Sequence, residues 1–152
     1  MKKLVIGLVV VIVIIQFFRI DKSSPVSNPK DDLFVVEQVP DDVQTILKTS
    51  CFDCHSNTAT YPWYSNVAPV SWWVKQHINE GRDELNFNEW GSYSEKRKLH
   101  KLEEIEETVE EHEMPLKSYL WVHSEAKLSE QQQKKLIIWS KRLRTGEHIE
   151  EL

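Results

Sequence analysis

The chain has 152 residues, enough for one compact domain and a short additional segment. Net charge is −5, and residues 1–20 hold Lys2, Lys3 and Arg19 without an acid, which leaves the remainder at −8; so acidic a body argues against nucleic acid as a partner and suits docking against a basic protein surface. The two cysteines fall within one short stretch, which rules out a disulfide framework built from pairs spread along the chain.

Lys2 and Lys3 precede an almost unbroken apolar run from Leu4 to Ile15, continued by Phe17 and Phe18, with Gln16 as its polar break. Counted to Ile20 the run has 17 residues, the short end of a bilayer-spanning helix. Phe17-Phe18-Arg19-Ile20-Asp21 offers no small-residue cleavage site, so residues 1–20 read as an uncleaved signal anchor in preference to a cleaved signal peptide. The run is apolar on every face, unlike the surface helix of a globular domain. Its basic start places the N-terminus in the cytoplasm, although Arg19 and Lys22 beyond the run weaken that asymmetry. The expectation is a single-pass protein of a bacterial inner membrane with its domain in the periplasm. Residues 21–40, rich in Ser, Pro and charge, read as an extended linker.

The domain is expected over 41–146, followed by a short tail at 147–152. Four helices are predicted and no alternating strand pattern is visible. The first runs from Asp41 or Asp42 through Val43, Ile46 and Leu47 to about Ser50. The second starts after Ser65 or Asn66, carries Val67, Val70, Val74 and His77/Ile78 on its apolar face, and ends at Gly81. The third opens with a capping box at Ser92-Tyr93-Ser94-Glu95, buries Leu99, Leu102, Ile105 and Val109, and stops before Met114-Pro115. The fourth is capped by Ser129 with Gln132 at the box position, presents Leu136, Trp139 and Leu143, and ends at Gly146. Loops at 51–65, 82–91 and 114–128 are long for so small a domain, as if they wrapped something.

Cys51-Phe52-Asp53-Cys54-His55 is the pattern of c-type haem attachment. Two thiols three positions apart reach the two vinyl groups of one porphyrin, and the adjoining His55 reaches the iron as proximal ligand. Three other readings compete. A thioredoxin-type pair normally sits in a βαβ pattern, and none is present. Half of a zinc site lacks a second Cys pair, though histidines can complete one. A plain disulfide is the simplest alternative. For the second axial position the candidate is Met114, the only methionine beyond the initiator, whose thioether raises the reduction potential; the competing role is gap-filling in the core. His77, His100, His112 and His123 are the rivals.

Six Trp, four Tyr and five Phe against four Gly give an aromatic-rich chain suited to lining a flat cofactor. Trp63, Trp72 and Trp73 follow the attachment motif and are expected to pack on the porphyrin or simply in the core. Arg82 is a candidate for the propionates. The glutamates of the third helix, from Glu103 to Glu113, form either a docking face for a basic redox partner or a solvated helix face.

The motif together with Tyr61-Pro62-Trp63-Tyr64-Ser65-Asn66-Val67-Ala68-Pro69-Val70-Ser71-Trp72, Glu80-Gly81-Arg82, Leu85-Asn86-Phe87, Met114-Pro115-Leu116, His123-Ser124-Glu125-Ala126, Leu128-Ser129 and Trp139 resembles the bacterial haem-binding domain family over about residues 33–144. The resemblance implies a haem held at Cys51, Cys54 and His55, and carries Met114 over as a ligand of the motif. The resulting expectation is an all-α, cytochrome c-like domain around one covalent haem c, preceded by a transmembrane helix. It is expected to act as a single-electron carrier in preference to a catalyst. A gas-binding sensor and a peroxidase with an open distal site are the alternatives, the latter without a recognisable distal arginine–histidine pair.

Overall fold

The structure, a computed structural model, describes residues 1–146; the expected tail lies outside the described residues. Among these residues there are helices and turns but no strand, in accord with an all-α domain. The helices are α1 (Lys2–Ile15), α2 (Leu33–Val36), α3 (Asp41–Ser50), α4 (Phe52–His55), α5 (Val70–Glu84), α6 (Glu95–Glu110), α7 (Lys117–Leu120) and α8 (Glu130–Thr145), with 3-10 turns at Pro29–Asp31, Trp63–Asn66, Phe87–Ser92 and Ser124–Ala126.

The expected transmembrane helix is not borne out. No helix among the described residues is long and apolar enough to cross a membrane. At 14 residues, α1 extends ~21 Å, short of a bilayer's hydrocarbon core. The single-pass inner-membrane placement that rested on it is therefore not supported, nor is the periplasmic position of the domain. Gln16 ends the helix physically. Its Nε2 donates to Ile12 O and to Ala68 O, both at 2.9 Å, and its Oε1 accepts from Ala68 N at 3.0 Å. Trp72 Nε1 then donates to Phe18 O at 2.9 Å and Lys22 Nζ to Asn66 Oδ1 at 2.8 Å, so residues 16–22 lie along the domain.

The second half of the expected linker also belongs to the packed body. Asn28 caps the Pro29–Asp31 turn and Asp32 caps α2, accepting from Phe34 N. Leu33 and Val39 are core residues, so packing starts ahead of the boundary expected at residue 41.

The core joins α2, α3, α6 and α8 around the Phe87–Ser92 turn, with Val43, Leu47, Phe87, Trp90, Leu102 and Leu136 among its buried members. The buried Trp90 indole is satisfied because Nε1 donates to Glu37 Oε1 at 2.6 Å. Helices α6 and α8 run side by side in the same sense: Ser140 Oγ donates to Leu102 O, and one turn on Arg144 meets Glu106 through two nitrogens at 2.9 and 3.0 Å. Ser94 and not Ser92 caps α6, accepting from Arg97 N. Leu99, expected inside, is exposed; Lys101 is buried instead, its Nζ reaching Glu84 at 3.0 Å and Glu104 at 2.6 Å. Ser129 and Gln132 complete the capping box of α8, and Gly146 closes the helix at φ 72. Ser129→Ala is expected to lower stability by about 1 kcal/mol, read as an earlier urea midpoint at unchanged slope.

Candidate functional site

Helix α3 ends at Cys51, and the chain turns at once into α4, where Cys54 N and His55 N both donate to Cys51 O at 3.2 and 3.0 Å. This single turn sets the two thiols close enough that Cys54 helps to raise the pKa of Cys51. Helix α5 lies against it at Gly81, where a Cβ would stand 2.8 Å from Cys54 O. For that reason Gly81 does not end α5 as the sequence predicts. It is a gap in the helix surface through which α4 approaches, and the helix continues to Glu84.

His55 Nδ1 lies 3.0 Å from Leu85 O and donates to it. The carbonyl is fixed by a ring of amides: Asn57 N donates to Asn88 Oδ1, Asn86 Nδ2 to Asn57 Oδ1, Asn88 Nδ2 to Asp32 Oδ2, and Asn86 N to Tyr93 OH. Together they lock the chain after α4 to the chain after α5. Burial lowers the pKa of His55, opposed by the Leu85 and Gly81 carbonyls, so the ring is neutral near pH 7. A neutral imidazole with Nδ1–H on a backbone carbonyl presents Nε2 as the metal-binding nitrogen. Burial pushes Cys51 up to about 12, with the neighbouring Cys54 adding to it, and Cys54 up to about 11, where Asp53 adds and Arg82 opposes. Both are free thiols, so the disulfide alternative is not what the structure contains. Among the described residues no group of three or more His, Cys, Asp or Glu side chains is placed to hold a metal ion, which leaves the zinc alternative without a site.

Beside Cys54 opens an apolar cleft between α5 and the 116–123 segment, with Trp73, Val74, His77 and Ile78 on one wall and Tyr64, Leu116, Tyr119, Val122 and His123 on the other. Val74 and His77, expected on a buried stripe of the second helix, thus face the cleft, while Val67 and Val70 are exposed. Of the three flagged tryptophans only Trp73 lines the cleft, its ring centred 4.4 Å from that of His77. Trp63 is exposed and stands edge-on to Tyr64, and Trp72 is tied to Phe18. Arg82 lies near Cys54 with Nε donating to Ser56 O at 2.7 Å, while its Nη2 is buried without a partner, as are Tyr61 OH and Asn57 Nδ2. A buried guanidinium nitrogen without an acceptor, beside a thiol of the motif, fits a cofactor bearing carboxylates.

Met114 follows α6 in a half-buried position, its N–H bonded to Thr108 O at 3.1 Å, and is not among the cleft-lining residues, whereas Leu116 is. Of its rivals, His77 and His123 line the cleft. His100 is exposed beside Glu104 at 3.3 Å, and His112 occupies a left-handed turn at φ 59. Two residues that the sequence did not single out join the site. Tyr119 OH donates to Asp53 Oδ2 at 2.7 Å, and Asp53 Oδ1 accepts from Thr60 N at 3.0 Å. The only signal for Asp53 was its place inside the motif; Tyr119 carried none.

The haem-binding domain family matches residues 10–142, from within α1 to within α8. The match therefore begins well before residue 33, and it takes in the segment that Gln16 and Trp72 hold to the domain. No curated protein and no solved structure matches the chain. With nearly the whole described chain matched, and with the buried, unpartnered Arg82 Nη2 near Cys54 fitting a carboxylate-bearing cofactor, the chain belongs to the haem-binding domain family.

Proposed function

We propose that the chain carries one haem c, joined by thioethers to Cys51 and Cys54, and serves as a single-electron carrier. The reading rests on the His55 ring, whose Nδ1–H is held by Leu85 O so that Nε2 is the nitrogen offered to iron. The bound haem would supply one-electron cycling between Fe(III) and Fe(II). Arg82 Nη2, buried without a partner, would donate to a propionate. Trp73 would pack on the porphyrin from α5. Met114 would supply the second protein ligand to the iron, its sulfur favouring the reduced state. The exposed carboxylates of Glu103, Glu107 and Glu110 on α6 and of Glu111 at its C-cap offer a docking face to a basic redox partner, whereas Glu104 and Glu106 are already paired with Lys101 and Arg144.

A second reading, an open distal position serving gas sensing or peroxide chemistry, draws on one observation: Met114 does not line the cleft beside Cys54. Spectra of the protein made with cytochrome c maturation machinery separate the two. The electron-carrier reading expects a sulfur-to-iron charge-transfer band in the oxidised wild type, its loss in Met114→Ala, and slow carbon monoxide uptake by the reduced wild type. A wild type that lacks the band and binds carbon monoxide readily belongs to the second reading.

A further inference from the structure

Residues 16–22, which tie α1 to the domain, close one side of a cavity of about 200 Å³ whose other side is the 65–71 stretch. Gln16 fixes one end through its bonds with Ala68 N and O, and Trp72 Nε1 fixes the middle through Phe18 O. The cavity is separate from the cleft beside Cys54 and shares no lining residue with it.

Two cations line this cavity, Arg19 and Lys22, and no carboxylate does. Among the described residues neither makes an ion pair. Asp21 stands between them in sequence but is exposed, and its two oxygens accept from Ser23 N and Ser23 Oγ at 2.8 Å each. Lys22 is already positioned: Nζ donates to Asn66 Oδ1 at 2.8 Å and lies 5.4 Å from the centre of the Tyr61 ring, with its other N–H groups unused. Ser71 adds a neutral donor. It is 3% exposed and lines the cavity, and its hydroxyl has no hydrogen-bond partner among the described residues. A hydroxyl taken out of water without a partner is costly until something enters to bind it. On a chain of net charge −5, two neighbouring cations without an acid select an anion as that ligand.

We propose that the cavity binds the phosphate group of a small organic phosphate ester, through Arg19, Lys22 and Ser71. A guanidinium fork, an ammonium and a hydroxyl donate from separate directions, which suits a tetrahedral oxyanion better than a planar carboxylate. At about 200 Å³ the cavity has room for the phosphate together with a short polar substituent. A soluble ester and the headgroup of a phospholipid share this chemistry. The site goes beyond the haem reading and does not rest on it.

Calorimetric titration of the full chain with glycerol 3-phosphate and with acetate, beside co-sedimentation with phosphatidylglycerol vesicles, tests this. Glycerol 3-phosphate is expected to bind saturably, and acetate much more weakly. Arg19→Gln and Lys22→Gln weaken binding by about tenfold each, and Ser71→Ala by about fivefold. Lys96→Gln, the same change of charge at an exposed position of α6, leaves it unchanged. Saturable binding of glycerol 3-phosphate with this pattern identifies a soluble ester. Binding to the vesicles alone, with the same pattern, identifies a lipid headgroup. Vesicle binding that ignores Ser71→Ala, or that falls equally in Lys96→Gln and Arg19→Gln, is general attraction to a charged or apolar surface and overturns the proposal. Acetate that binds as tightly as glycerol 3-phosphate overturns it too, as does a chain that binds neither the ester nor the vesicles. Should Ser71→Ala not fold, undiminished binding in Arg19→Gln, at an exposed position, overturns it.

Discussion

Replacing Cys51 and Cys54 together by Ala is expected to turn a protein that keeps all its haem in acidified organic solvent into one that loses all of it. Thioethers survive that extraction; a histidine–iron bond and van der Waals packing do not. The double variant also tests the linkage cleanly. A buried cysteine behaves as a small hydrophobe, and neither thiol makes a hydrogen bond that the fold relies on. Burial holds both protonated, at about 12 and about 11, so no thiolate charge is lost on substitution. The helical content of the variant should therefore match the wild type, and released haem reports the missing bonds and not a lost fold. On the covalent reading, each single variant should retain one thioether and keep its haem through extraction, with a spectrum altered by the vinyl group left unreacted. A wild-type protein that yields its haem to solvent, or emerges colourless from a host able to make such linkages, removes the covalent reading altogether.

The parts of this fold that were legible in sequence are those specified by neighbours along the chain. Asp41 and Asp42 mark the start of α3, and Ser129 with Gln132 and Gly146 mark both ends of α8, because caps act over three or four residues. The errors come where a distant partner decides. Gln16 looked like an interruption in an apolar run, yet its amide meets Ala68 and stops α1 there. Leu99 fits the periodic stripe of α6, but Lys101 takes the buried place because Glu84 of α5 receives its charge. Trp90, the fully buried indole, resembles the other five tryptophans until Glu37 is seen beside it. The attachment motif was readable because its geometry is local. The cleft wall was not, since Tyr119 meets Asp53 across 66 residues and Tyr64 meets His123 across 59. No periodic pattern reports such pairs. They follow from the path of the 114–128 segment, which sequence alone left as a loop.

Gly81 connects that local motif to the rest of the domain, and Gly81→Ala is expected to destabilise the protein although it replaces a helix-disfavouring residue with the best helix former. In open surroundings the exchange gains about 1 kcal/mol from helix propensity. Gly7 of α1, with nothing within 4 Å of an added Cβ, is such a place. At Gly81 the new methyl would stand 2.8 Å from Cys54 O, 3.1 Å from Cys54 Cβ and 3.2 Å from Cys54 C. These are atoms of a backbone turn, held through Cys51 and His55, and they cannot swing aside as a flexible side chain would. Overpacking of this kind costs up to about 3 kcal/mol, which exceeds the propensity gain and leaves a net loss of about 1–2 kcal/mol. Relief requires α4 to move off α5, and α4 carries Cys54 and His55 while α5 ends at the Leu85 carbonyl that orients the imidazole. The variant should therefore show two linked changes: a lower denaturation midpoint and, on the haem reading, a shifted midpoint potential of the bound haem. Gly7→Ala should show neither. A Gly81→Ala protein as stable as the wild type, with an unchanged midpoint potential, would mean that α4 and α5 are not in the contact on which the site depends.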